Sequence, residues 1–151
     1  MKRFAQLTLG IAAAAMCGCA DAGTSPLAGL VGTMRLAAYN GAPLPVHVDP
    51  RLGACGAMIV GGSLTTTSDG HVTFTRSYTT PCTSGSPVST ESRTGLVSVD
   101  GTAITVALDA SSWGGPAEVY PGTLEGGQLT LHFTVNSLAT PLEQTFLLVR
   151  Q

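Results

Sequence analysis

Short turn signals recur along the chain between alternating segments: Asn40-Gly41, Asp69-Gly70, Asp100-Gly101 and Gly126-Gly127. Such dipeptides supply the positive φ angles that two-residue hairpin turns need, so each predicts two adjacent antiparallel strands. The flanking segments alternate with a period of two. In 71–80, Val72, Phe74, Arg76 and Tyr78 share one face, while His71, Thr73, Thr75 and Ser77 form the other. In 128–135, Leu129, Leu131, Phe133 and Val135 share a face. Further strands are expected at 32–39 (Met34, Leu36 and Ala38 inward), 43–48, 54–67, 88–99, 102–109, 117–125 and 143–150. Gly61-Gly62 predicts a bulge or bend in the 54–67 segment. No helical periodicity competes, and the 19 glycines and 11% charged residues fit a turn-rich β domain. Consecutive hairpins predict an all-β, up-and-down antiparallel barrel of about eight strands. A β-sandwich or half-open roll is the alternative.

The N-terminus follows a different logic. Met1-Lys2-Arg3 is basic, and the uncharged segment 4–16 is too short to span a bilayer, which takes about 20 residues. A basic start followed by a short apolar stretch is the pattern of an export signal. Met16-Cys17-Gly18-Cys19 resembles the lipobox of bacterial lipoproteins, whose cysteine is lipidated and becomes the new N-terminus. That resemblance implies a signal peptide at 1–18, lipidation of Cys19, a tether at 19–31 and a folded domain at 32–151. Ala20, rather than Asp, after the cysteine implies an outer-membrane lipoprotein facing the periplasm or the cell surface. Leu27, Leu30 and Val31 are expected at the domain edge.

Within 19–151 five arginines face nine acidic residues, for a net charge of −4, and no lysine remains. That balance excludes a basic surface for nucleic acid. Cys55 and Cys82 flank "LTTTSDGHVTF", a hairpin whose paired residues should have numbers adding to roughly 137–139. The two cysteines meet that condition, so a disulfide is predicted at the open end of the hairpin. Closing a loop of about 28 residues contributes ~3–4 kcal/mol in the chain-entropy picture.

"GTMRLAAYNGAPLPV", "GSLTTTSDGHVTFTRSY", "TGLVSVDGTAITV", "PGTLEGGQLTLHF" and "TFLLVR" together resemble the lipocalin-like domains of bacterial lipoproteins over about residues 29–151. The resemblance implies a barrel able to hold a small apolar or amphipathic ligand. Where lipocalins carry a Trp on the first strand this chain has Met34, and Arg150 stands where the last-strand Arg would stack.

No sequence motif of a hydrolase elbow, zinc protease or phosphate loop is present, so no enzyme, cofactor or metal site is expected. His47, His71 and His132 are spread over three segments, and Glu118, Glu125 and Glu143 read as surface carboxylates. The candidate ligand-binding residues are Phe74, Arg76, Tyr78 and Phe133. An inward Arg76 must be paired. It is either an anchor for a ligand anion, a partner of Glu91, or a strand-edge cation reaching water. Trp113, in "SSWGGP", is expected as a rim aromatic for a partner or as a lid. Two functions follow: a membrane-anchored carrier of a small amphipathic molecule, or an interaction module of the kind seen in periplasmic inhibitors, acting through loops 81–87 and 110–116.

Overall fold

The computed structural model describes residues 26–48, 54–82, 87–112, 114–135 and 142–151. The leader, Cys19 and Trp113 lie outside the described residues. Ten strands follow a short 3-10 helix at Pro26–Gly29: β1 Gly32–Tyr39, β2 Ala42–Pro43, β3 Val46–His47, β4 Met58–Thr66, β5 His71–Thr79, β6 Ser89–Asp100, β7 Ala103–Leu108, β8 Glu118–Glu125, β9 Gln128–Val135 and β10 Leu142–Arg150.

Each of β4 to β9 pairs antiparallel with the next, β10 pairs with β1, and β1 pairs with β4. The last pairing closes an eight-stranded up-and-down barrel, lipocalin-like in architecture, and excludes the open sandwich. Closure removes the exposed strand edges of an open sheet. The turn signals fall where expected, with positive φ at Asn40, Gly41, Gly70, Gly101, Gly126 and Gly127. The Cys55–Cys82 disulfide is formed, with Cα atoms 5.0 Å apart.

Two bulges distinguish the barrel from the alternation read in the sequence. In β1 the register shifts between Leu36 and Ala38. One extra residue flips the following side chains, so Tyr39 is 1% exposed and Ala38, expected inside, is not. In β4 the shift lies between Ile59 and Gly61. Gly62 is required nearby, because a Cβ there would sit 2.6 Å from the Thr75 carbonyl oxygen. Above the Arg35↔Ser63 pair, β1 and β4 separate. The 43–48 segment, expected as one strand, therefore splits: β2 pairs with β1 and β3 with β4, with Leu44-Pro45 at the tip between them.

The two barrel ends differ. One end has the tight turns at 67–70, 101–102 and 126–127 and is plugged by Leu30, which is 1% exposed. Arg150 donates to the carbonyl of Gly29 and fastens the plug. Of the three residues expected at the domain edge, Leu30 completes the core, Leu27 packs against it and Val31 is exposed. The opposite end is where β5, β7 and β9 finish and β6, β8 and β10 begin, farther apart in the chain than the strands joined by the tight turns. Between the ends, Phe74, Tyr120 and Phe146 meet edge to face with centroids 5.7–6.0 Å apart, and Tyr39 lies 5.2 Å from Phe146. These rings fill the barrel's cross-section. Aromatic pairs of this kind add roughly 0.5–1.5 kcal/mol each beyond their buried area.

Candidate functional site

Above the aromatic layer, the inward faces of β5, β6 and β8 become polar. The β5 alternation runs Val72, Phe74, Arg76, Tyr78 toward the long-loop end. Arg76 is 9% exposed and lies over the rings of Phe74 and Phe146, at 5.4 and 5.9 Å. Its cross-strand neighbour in register is Glu91, and Nη2 meets Glu91 Oε2 at 2.7 Å. Burial weakens the Arg76 charge, but Tyr120, Tyr78, Glu91 and Glu118 outweigh it and hold the guanidinium's pKa above its ordinary value. Burial pushes the Tyr78 hydroxyl up to about 12, against the opposing pull of Arg76.

A second pair lies deeper in the protein. β6 outruns β7, whose last residue, Leu108, stands opposite Gly95. Arg93 therefore projects past the end of β7 and reaches Glu118 at the start of β8, Nη1 to Oε2, 2.7 Å. Its Nε and Nη2 donate to the carbonyl of Asp109, and Nη2 also donates to that of Pro116. One buried guanidinium thus ties both ends of the 109–117 connection to the barrel. Tyr120 donates its hydroxyl to the same Glu118 oxygen, Oε2. Burial, opposed by Arg76 and reinforced by that bond to Glu118, raises the Tyr120 pKa as well.

Glu118 is therefore an interior residue rather than the surface carboxylate expected. In "AEVYPGTLE" either alternate face contains apolar residues, and the exposed Val119 disguises the true inward set of Glu118, Tyr120 and Leu124. Arg93 was not singled out at the sequence level either. The signal was its phase with Gly95 and Val97 on β6, both buried.

The wall opens beside this pair. The β8–β9 ladder runs from Glu125↔Gln128 to Gly122↔Leu131 and ends before Pro121. A proline cannot donate to the ladder, so the next rung is lost and the strands part. Where pairing stops, Phe133 stacks on Tyr120 with centroids 4.9 Å apart and planes 28° apart. Beyond the stack lies a cleft of about 500 Å³, walled by Pro116, Ala117 and Val119 on one side and Phe133 and Val135 on the other, with Glu118 as its charged member. A larger outer groove, about 680 Å³, lies where β1 and β4 separate; Arg35, Leu44, Gly62, Ser63 and Thr75 line it.

The structure turns all four predicted ligand-binding residues inward at or near the long-loop end. Phe74 belongs to the aromatic layer, Arg76 is taken by Glu91, Tyr78 is half-buried beside it, and Phe133 lines the β8–β9 cleft. His71 and His132 are exposed, and the buried Nδ1 of His47 has no hydrogen-bond partner among the described residues. Among those residues no group of His, Cys, Asp and Glu could hold a metal, and no helix is long and apolar enough to cross a membrane.

No family model matches the chain, and no curated protein matches it by sequence. Among solved structures, it is similar to one described as a REP1-NXSQ fatty acid transporter, at 13% identity over 82% of this chain and 97% of that one, with a TM-score of 0.38. It is also similar to the wild-type fluorescent protein UnaG, at 13% identity over 83% of this chain and 99% of that one, with a TM-score of 0.39. Both overlaps are loose, and the fold assignment rests on the strand order and register above.

Proposed function

We propose that this chain is a non-enzymatic binding protein that holds a small apolar or amphipathic molecule at the long-loop end of its barrel. The observation that carries the reading is the β8–β9 cleft: about 500 Å³, with apolar walls and two polar lining residues, Glu118 and Thr134. Small-molecule sites have that volume and composition, roughly 300–1,000 Å³ and mostly apolar. The aromatic layer beneath fills the barrel's centre, so the seat lies at the mouth and in the parted wall rather than deep inside. Glu91 and Glu118 are each held by an arginine, which fits a structural and recognition role better than acid–base catalysis.

The location belongs to the same proposal. The leader and lipobox-like Met16-Cys17-Gly18-Cys19 support anchoring through a lipidated Cys19 in a bacterial envelope, and the disulfide fits an oxidising compartment. Intact-mass analysis of membrane-extracted protein tests the anchor: a diacyl or triacyl adduct on Cys19 supports it, and an unmodified full-length chain overturns it.

Binding itself is tested with the neutral, environment-sensitive dye N-phenyl-1-naphthylamine. A saturable fluorescence rise, lost when Val135→Trp fills the cleft, supports the reading; no saturable rise refutes it. One observation favours the alternative of a protein-interaction surface. Leu96, Ala107 and Val119 form a single exposed row across β6, β7 and β8, with Leu96 54% and Val119 57% exposed. Apolar rows of this kind mark contact surfaces when they form a contiguous patch.

A further inference from the structure

The charge arrangement around the cleft restricts which amphipathic molecule it accepts. Among the described residues, the two buried cations at this end already have carboxylate partners: Arg76 with Glu91, and Arg93 with Glu118. The Arg93 side chain is 2% exposed, and its Nε and Nη2 are committed to the carbonyls of Asp109 and Pro116. A ligand carboxylate entering the cleft would therefore lose its water without finding an unmatched cation. A ligand ammonium would find Glu118 already neutralised and Arg93 close by. Burying an unpaired charge of either sign is unfavourable.

The polar side chains of the cleft are Thr134, whose hydroxyl donates to Glu143, and Glu118. The contacts from Arg93 and Tyr120 both fall on Oε2 of Glu118. Oε1 accepts none of these contacts and is not a buried orphan, so it is open to solvent where Glu118 lines the cleft. Oε1 is an acceptor only, so it selects a donor. The walls of Pro116, Val119, Phe133 and Val135 select an apolar body.

Resting on the ligand-binding reading above, we propose that the β8–β9 cleft is selective for an uncharged amphipath, an aliphatic body carrying a neutral hydroxyl or amide head that donates to Glu118 Oε1. Fatty-acid anions and alkylammonium ions are discriminated against by the balanced ion pairs rather than by shape. A site built to pair a polar group in this way discriminates through the groups left unpaired by the wrong ligand.

The test is displacement of N-phenyl-1-naphthylamine from the folded barrel by decanol, decanoate and decylammonium at neutral pH, below their micellar concentrations. The expected order places decanol at least about tenfold tighter than either ion. Decanoate or decylammonium binding as tightly as decanol overturns this inference while leaving the ligand-binding reading intact. If the dye itself shows no saturable binding, that broader reading fails with it. In Glu118→Gln, Arg93 loses its counter-charge, so decanoate should gain at least about tenfold relative to decanol. An unchanged decanol-to-decanoate ratio in a folded Glu118→Gln protein overturns the assignment to this ion pair. Should that variant not fold, the wild-type order and Val135→Trp decide the matter. Val135 is a half-buried wall residue. Decanol binding that survives Val135→Trp places the site elsewhere and refutes the proposal.

Discussion

Replacing Glu118 by glutamine removes one charge and almost no volume, and it isolates the energetic role of the deeper ion pair. The Arg93 side chain is 2% exposed and that of Glu118 15%, with 2.7 Å between them. Breaking a buried pair leaves an uncompensated charge and costs about 3–5 kcal/mol. Arg93 keeps the carbonyls of Asp109 and Pro116, and glutamine still offers Tyr120 an acceptor, so the lower end applies: about 3 kcal/mol. For a domain of this size that corresponds to a fall in Tm of roughly 10 °C. Urea unfolding of wild type, Glu118→Gln, Arg93→Met and the double variant closes a thermodynamic cycle. The expected coupling is about 2 kcal/mol or more, with the double variant losing less than the sum of the singles. A Glu118→Gln loss below about 1 kcal/mol would place the pair with solvent-exposed ones, which contribute that little. The description of a desolvated polar layer above the aromatic rings would then be wrong.

Other perturbations give separate checks. Cys55→Ser/Cys82→Ser should lower stability by ~3–4 kcal/mol, and urea midpoints with and without reductant should differ in wild type but not in this variant. Burial raises the Tyr78 pKa from 10.0 to about 12, so its contribution is intact below pH 10 and is lost as pH rises through 12. That loss is roughly 2–3 kcal/mol, and Tyr78→Phe should flatten the fall in urea midpoint across this window. Gly95→Ala should cost roughly 3 kcal/mol, because the new Cβ would lie 2.0 Å from the Ala107 carbonyl oxygen. Thermal unfolding measures it, and a change under 1 kcal/mol would contradict the close β6–β7 approach.

The parts of the fold legible in the sequence were those set by local chemistry. Asn40-Gly41, Asp100-Gly101 and Gly126-Gly127 specify hairpin turns through their backbone freedom, and the Cys55–Cys82 pairing follows from counting outward from Asp69-Gly70. What was not legible depends on partners distant in the chain. The bulge after Leu36 arises against β10 and turns Tyr39 inward in place of Ala38. Leu30 was legible as a residue of the domain edge, but its place as a plug depends on the barrel end it closes. Glu118 was hidden because Val119 and Pro121 make the wrong face of β8 look apolar. Its partner Arg93 is two strands away and meets it only because β7 is short. Arg76 was legible as an inward cation, with Glu91 as one of its candidate partners, since adjacent strands fix that pair by register.

The most direct test of the account is a two-dimensional amide NMR titration of the folded barrel with decanol. The account predicts shifts concentrated at Ala117, Val119 and Tyr120 on one strand and at Phe133 to Val135 on the other, saturating together. Saturable shifts confined to the β1–β4 groove around Arg35 and Ser63, or no saturable shifts at all, would contradict it.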